Sequence, residues 1–470
     1  MHERLMRRPT LRYARELERS QWWSPDQLRE LQRTKLRDLF RHARTNVPFW
    51  RDRLDPARFH LEEADPEPQA LACAESARAE ALGSAGDPLA VLREIPLLDK
   101  TRIRESLEDL VWAGAPGGLH RFTTGGSSGE PLVFYLDRRR QAFDQAARIR
   151  SHRWFNVDLG QRELYLWGSP IEQQRGDGIK RWRNRLFNHC LLNAFDMSSR
   201  RMDSYLDAWD RFRPTCLFGY PSSIALLVEH AKSRHREVDL RSLRAVFVTG
   251  EVCYPHQRKT MGDYFGVPIA DGYGSRDAGF IAHECPEGNM HITSENVIVE
   301  TVDAAGSETA AGQAGEIVIT HLDAYAMPFI RYRTGDVGRL KPGRCACGRG
   351  LPLIDVVEGR TTDFLYLPDG TVRHALSIIY PLRDMDGLRQ FRVTQHEDYS
   401  VTVDVVADDA GVRISREAVM KRVRPVIGDD VGLRVDLVER IDTAPSGKYR
   451  YVISHAQPVA VAEREDHRAE

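Results

Sequence analysis

The chain predicts an α/β fold: a large N-terminal domain of parallel-type sheets with a β-barrel-like part, followed by a small α+β C-terminal domain. Three observations predict it. Between about 92 and 340, apolar strand-like runs alternate with helical runs, as in βαβ units. From 295 to 340 (ENVIVETV, GEIVITHL, FIRYRTGDVGRL) apolar residues alternate as in antiparallel β-structure. Near 358 the pattern changes to short strands around one amphipathic helix. A length of 470 residues also exceeds one simple core and implies about two or three domains.

The elements follow in order. In the N-terminal domain, 1–358, residues from about 10 to 54 read as a helical leader. Leu28, Leu31, Leu36, Leu39 and Phe40 recur at helical spacing, and Pro48 interrupts the pattern. Residues 60–90 are rich in Ala, Glu and Pro and read as a surface insertion with one short helix. Strand-like runs follow at ELYLWG (163–168), TCLFGY (215–220), LRAVFVTG (243–250) and VPIADGYG (267–274). PSSIALLVEHAKS (221–233) and PHQRKTMGDYF (255–265) read as the helices between them. Ligands of such sheets sit beyond the carboxyl ends of the strands. The C-terminal domain, 359–455, holds QFRVTQ, YSVTVDVVA, LRVDLVE and the helix SREAVMKRVRPVI. The charged tail 456–470 lacks periodicity and reads as disordered.

Bulk properties exclude several classes. The 67 basic and 68 acidic side chains nearly cancel, so no global field favours nucleic acid or an anionic membrane. The Arg run at 138–140 lacks the aromatic interleaving of a nucleic-acid surface. No apolar run approaches the roughly 20 residues of a membrane helix, and the basic N-terminus lacks the apolar stretch of a secretion signal. A cytoplasmic location follows as the expectation, with the seven Cys as thiols or metal ligands. Arg greatly outnumbers Lys. Because the two are not interchangeable where a compact ammonium is needed, the scarce lysines merit scrutiny.

RFTTGGSSGEPLVFYL (121–136) combines three glycines with four Ser and Thr hydroxyls. Backbone N–H groups of a glycine turn can converge on an anion, and hydroxyls add donors to phosphate oxygens. A Walker loop is absent. TGGSSGEP resembles the phosphate-binding loop of the adenylate-forming superfamily (acyl-CoA ligases, adenylation domains, luciferases), whose usual pattern is [ST]-[ST]-G-[ST]-T-G-x-P. Gly125 and Ser128 depart from it but keep the loop small and polar. IPLLDK (95–100), FGYPSSIALLVEHA (218–231), VFVTGEVC (246–253), DGYGSRDAG (271–279), RTGDVG (333–338), GRTTDF (359–364) and SGKYRYV (446–452) follow in the superfamily's order. The first three resemble its phenylacetate–CoA ligase branch. The segment QWWSPDQLRELQRTKL…HARTNVPFWR is similar to that branch's capsule-biosynthesis-associated members.

The resemblance implies an AMP-forming acid–thiol ligase that uses ATP, Mg²⁺ and coenzyme A on a small-molecule carboxylic acid, with a mobile C-terminal lid. Thr124, Gly125, Gly126, Ser127, Ser128 and Gly129 would hold phosphate. Tyr273 would stack on adenine with Gly250 and Glu251 nearby, and Asp271, Gly274 and Ser275 would complete the nucleotide contacts. Asp336 would accept both ribose hydroxyls. Asp277 stands where the family usually has Glu and would bind Mg²⁺. Arg276, in place of the usual Ser or Thr, would either pair with phosphate or point outward. Arg360 at the hinge would touch phosphate or ribose, and Thr362 there replaces the usual Asp. Lys448 would bridge the acid's carboxylate and the α-phosphate. Trp167, Phe218, Tyr220 and Phe247 are candidates for an apolar acid pocket. Homodimers are common among relatives.

HECPEGNMHI (283–292) and GRCACGRGLP (343–352) supply Cys285, His291, Cys345 and Cys347, a donor set suited to tetrahedral structural Zn²⁺. Two other readings stay open. One passes the adenylate to an amine, hydroxyl or carrier protein. The other is an inactive nucleotide-binding homologue.

Overall fold

The computed structural model describes residues 8–54, 87–123, 132–167, 187–194, 199–358, 364–369, 372–374, 378, 381–382, 385, 387–407, 414–441 and 451–456. The chain divides into two compact units, residues 1–125 with 131–358, and residues 359–470 with 126–130. No helix among the described residues is long and apolar enough to cross a membrane.

In the first unit, β1 (His120–Thr123) and β2 (Val133–Leu136) pair antiparallel. The principal strands are β3 (Glu163–Trp167), β4 (His189–Asn193), β5 (Cys216–Gly219), β6 (Ala245–Thr249), β7 (Ile269–Ser275), β8 (Gly279–Glu284), β9 (Met290–Ile292), β10 (Val297–Val302), β11 (Gly315–His321), β12 (Tyr332–Lys341) and β13 (Leu353–Glu358). They form one 11-stranded sheet in the order β10-β11-β12-β13-β9-β8-β7-β6-β5-β3-β4. From β4 to β7 all pairs are parallel. From β7 onward they are antiparallel, so the α/β and alternating regions join edge to edge.

Period-two geometry assigns the two faces of the parallel part. Leu164, Leu166, Leu217, Val246, Val248 and Ile269 point to a core shared with the helices Ser199–Phe212, Pro221–Ser233 and Pro255–Phe265. Cys216, Ala245, Phe247 and Ala270 point the other way, onto Trp154, Phe155, Cys285 and Cys345. Strands buried on both faces read as continuous apolar runs, which explains why β5 and β6 are legible in the sequence. The edge strand β4, HCLLN, was missed. It is short, and Leu191 is 53% exposed, so it carries neither alternation nor a continuous run.

The helical leader is broken once more than its spacing suggests. Thr10–Ser20 and Pro25–Asn46 are separate helices. Ser24 caps the second: its Oγ accepts from the Gln27 amide at 3.3 Å, the Gln27 side chain accepts from the Ser24 amide at 2.9 Å, and Pro25 fits the first turn. The helix ends before Pro48, as expected, with Val47 extended. Leu36, Leu39, Phe40 and Ala43 bury one face against the antiparallel strands. Lys35 is almost buried and binds the carboxylate of fully buried Asp323 at 2.7 Å and the Glu295 carbonyl at 2.8 Å. Most of the 60–90 insertion lies outside the described residues. Its last residues are described. Pro88–Leu92 is a helix capped by Asp87, and Leu92 enters the main core because its apolar side chain faces the leader.

In the second unit, β14 (Phe364–Tyr366) pairs with β15 (Val372–His374). Strands β16 (Leu388–Gln395), β17 (Val401–Ala407), β18 (Leu433–Leu437) and β19 (Val452–Ser454) form a sheet in the order β18-β17-β16-β19. The helix Arg416–Ile427 buries Val419, Val423 and Ile427, one residue per turn, against that sheet's Val403 and Val435.

Candidate active site

The carboxyl ends of the parallel strands converge on two glycine turns. After β6, Gly250 adopts φ +82°, and a Cβ there would lie 3.1 Å from Tyr220. That position suits only glycine. Tyr220 stacks on Trp167 with ring centroids 4.0 Å apart. Glu251 accepts from the Ser222 amide at 3.4 Å, at the start of the Pro221–Ser233 helix. In β7, the register shifts between Tyr273 and Gly274, and a Cβ on Gly274 would fall 2.4 Å from the Gly279 carbonyl oxygen.

Two hydrogen bonds from one strand then clip the DGYGSRD segment. Tyr273 donates its hydroxyl to Asp336 Oδ2 at 3.0 Å. Tyr332 donates to Asp277 Oδ2, and Ser275 donates to Asp277 Oδ1. Tyr332 and Asp336 both lie on β12, which three strands separate from β7 in the sheet order. The sheet must therefore curl until β12 faces β7. The segment Ile95–Lys100 joins this wall, because Leu98 bridges to β12 through its amide and carbonyl, each 2.9 Å from its partner.

The electrostatics follow. Burial alone would raise the Asp277 carboxyl. Hydrogen bonds from Ser275 and Tyr332, with the charge of Lys100, outweigh it and hold Asp277 below the usual carboxylate range. Asp277 is thus a buried, ionised carboxylate, the donor type that Mg²⁺ requires, while Arg276 beside it is exposed. Burial, with the Glu284 carboxylate nearby, pushes Asp271 up to about 7 against the opposing pull of Arg258. The unfolded chain would ionise near 3.8, so above that pH the folded state holds more protons and loses stability as pH rises toward 7. Asp271→Asn removes that loss. Its melting temperature is expected to exceed wild type at pH 8, with the gap closing toward pH 4. A gap independent of pH would contradict the assignment.

Behind the same sheet lies a second cluster. The ligand atoms of Cys285, His291, Cys345 and Cys347 all lie within 4.8 Å of one another. The Cys285 and Cys345 sulfurs are 3.6 Å apart, and Cys347 Sγ is 3.3 Å from His291 Nε2. Tetrahedral zinc with roughly 2.3 Å Zn–S bonds needs sulfur separations of about 3.7 Å. His291 Nδ1 lies 3.3 Å from the Leu351 carbonyl, which selects the tautomer leaving Nε2 free as a ligand. Burial lowers His291 to about 4, so the imidazole is neutral. The donor set fits Zn²⁺.

The site differs from the sequence-based expectation in one respect. Of the four aromatics proposed for an acid pocket, Trp167 and Tyr220 border the Gly250 turn, while Phe218 packs against the opposite-face core with Cys216 and Ala245. Phe247 is fully buried on the opposite face and stacks on His152 at 3.7 Å, because alternation turns it away from Val246 and Val248. Lys448, Arg360 and the loop residues Thr124, Gly125, Gly126, Ser127, Ser128 and Gly129 lie outside the described residues. Sequence reasoning missed Lys100 and Tyr332. The scarcity of lysine was a usable signal for the first, and none marked the second.

Known proteins resemble this chain in both units. A family model described as AMP-binding enzyme matches residues 190–323, and one for the CapK C-terminal domain matches residues 365–455. Phenylacetate-coenzyme A ligases of Thermus thermophilus and Pseudomonas putida are each 25% identical over 350 residues, covering 73% of this chain and 72% and 73% of theirs. That of Escherichia coli is 25% identical over 353 residues, covering 73% of this chain and 74% of its own. In fold, the chain is similar to a 2-hydroxyisobutyryl-CoA ligase solved in the postadenylation state, with a TM-score of 0.67 at 18% identity, covering 92% of this chain and 90% of the other.

Proposed function

We propose, for a chain that belongs to the adenylate-forming superfamily and within it to the phenylacetate–CoA ligase branch, that it activates an aryl or arylacetic acid with ATP and passes the acyl group to coenzyme A. The observation that carries this reading is the pair of clips from β12, which sets Tyr273 with Asp336 and Asp277 with Tyr332 beyond the carboxyl ends of the parallel strands.

The chemistry follows from charge. A carboxylate is a poor electrophile. Its attack on the α-phosphorus of ATP forms an acyl-adenylate and releases pyrophosphate. The thiol of coenzyme A then attacks the acyl carbonyl and AMP leaves. Asp336 binds the ribose hydroxyls, and Tyr273 presents its ring to adenine while its hydroxyl orients Asp336. Lys448 and the 124–129 loop offset charge on the phosphates. Asp277 would hold Mg²⁺, which neutralises phosphate charge when bound. The four-ligand cluster would hold a structural Zn²⁺.

The decisive experiment is an ATP–pyrophosphate exchange screen over aryl, fatty and amino acids, followed by product analysis with coenzyme A and with amines. Exchange with an aryl acid and an acyl-CoA product are expected. An amide product in place of the thioester would reassign the acceptor, and no exchange with any acid would overturn the activity. Within that assay, Asp336→Ala should raise KM for ATP about tenfold to a hundredfold, the worth of hydrogen bonds to a charged group, and leave KM for the acid unchanged. Equal changes in both would remove Asp336 from ribose binding.

A further inference from the structure

The arginine run at 138–140 is not a basic surface patch. Arg139 Nε pairs with fully buried Asp323 at 2.7 Å. Arg140 is 1% exposed and points inward from the first turn of the Arg138–Arg153 helix. Its Nη2 donates to the carbonyl oxygen of Asp277 and to that of Arg276, the latter at 3.3 Å. Its Nε lies 3.7 Å from Asp144 Oδ2, one helical turn along. Asp144 Oδ1 accepts from the Phe280 amide at 3.2 Å and lies 3.5 Å from His321 Nε2. One turn of one helix therefore grips both ends of the segment that carries Asp277: the carbonyls at 276 and 277 through Arg140, and the amide at 280 through Asp144. Between them Gly279 adopts φ +87°, and a Cβ there would come within 3.0 Å of Asp144 and His321. The grip leaves no room for a side chain.

A buried guanidinium is costly to desolvate, and an apolar residue of similar volume would often stabilise the fold as well or better. Here its donors are directed to main-chain oxygens of the cation-binding turn. We propose that Arg140 and Asp144 form a clamp that positions Asp277 toward the divalent cation accompanying the nucleotide. They are positioning residues, since neither need touch nucleotide, cation or acid. The inference rests on the adenylation reading for its cation and deepens it.

The test uses the full chain with Mn²⁺ as the probe, read by electron paramagnetic resonance in the presence of α,β-methylene-ATP. Arg140→Lys keeps the charge and loses the planar fork. It is expected to weaken Mn²⁺ binding about tenfold or more, the usual cost of losing a group that orients a metal ligand. KM for Mg·ATP should rise while KM for the acid stays at the wild-type value. Asp144→Asn, nearly isosteric, should shift the same quantities in the same direction by less, and it decides the matter if Arg140→Lys does not fold. A folded variant with wild-type Mn²⁺ affinity and only a lower kcat would reduce the pair to a structural role and overturn the clamp. Wild-type protein that binds Mn²⁺ with the analogue, loses that affinity in the variants, yet forms no adenylate would support the clamp and sink the adenylation reading. Wild-type protein that binds no Mn²⁺ with the analogue would overturn the clamp.

Discussion

Lys448→Ala is expected to lower ATP–pyrophosphate exchange by about a hundredfold to a thousandfold, the scale of removing one preorganised electrostatic donor from a transition state. The variant is expected to melt at the wild-type temperature. Lys448 follows Pro445, Ser446 and Gly447, small turn-forming residues with nothing apolar to bury. Its expected task is to place a compact ammonium between the attacking carboxylate and the α-phosphate while negative charge spreads over both. A guanidinium is larger, planar and more weakly hydrated, so Lys448→Arg should recover little despite an equal charge. In a chain so rich in arginine, a lysine at this position argues for the ammonium itself. Near-normal exchange in Lys448→Ala would remove this residue from the mechanism.

The second large effect concerns stability. Protein purified without chelator is expected to carry close to one zinc per chain. Stripping the metal, or replacing Cys345 with Ser, is expected to lower the melting temperature by about 10 °C or more, because metal binding free energy is folding free energy. The four ligands come from the β8–β9 hairpin and from the 345–347 turn, which lie 60 residues apart in sequence at Cys285 and Cys345. The leader depends on the same turn. The Gly350 amide donates to the Gln21 carbonyl at 2.9 Å, and Gln21 Oε1 accepts from Trp154 at 2.8 Å and from Arg349 at 3.2 Å. A Cβ on Gly350 would collide with the Trp23 carbonyl oxygen at 1.8 Å, so the leader turn sits directly on the cluster's backbone. Metal loss should therefore expose residues 21–24 to limited proteolysis. Absence of near-stoichiometric zinc by elemental analysis, with an unchanged melting temperature after chelation, would dispose of the site.

Much of the architecture was readable in advance for local reasons. The helices Pro221–Ser233 and Pro255–Phe265 coincide with the runs read from sequence, since proline opens each one and an apolar face repeats within it. The break at residues 21–24 was also encoded, as Ser24, Pro25 and Gln27, but a leucine repeat on both sides masked it. Asp277, Tyr273 and Asp336 stood out as candidates because each belongs to a short motif whose glycines the backbone requires. The clamp was not recognisable. Arg140 meets carbonyl oxygens 136 and 137 residues away, and a backbone carbonyl leaves no mark on composition. Its neighbours in the run made it look like surface charge.

By itself, then, the sequence determined the periodicities that make each strand and helix, the donor types at the proposed nucleotide and metal sites, and the glycines their turns demand. All of these depend on residues a few positions apart. Only the tertiary structure decided which hydroxyl reaches Asp277, which arginine is buried and which face Phe247 takes. Those outcomes depend on sheet curvature and strand order, which bring β12 against β7 and the Arg138–Arg153 helix beneath Asp277 across distances that no local pattern can report.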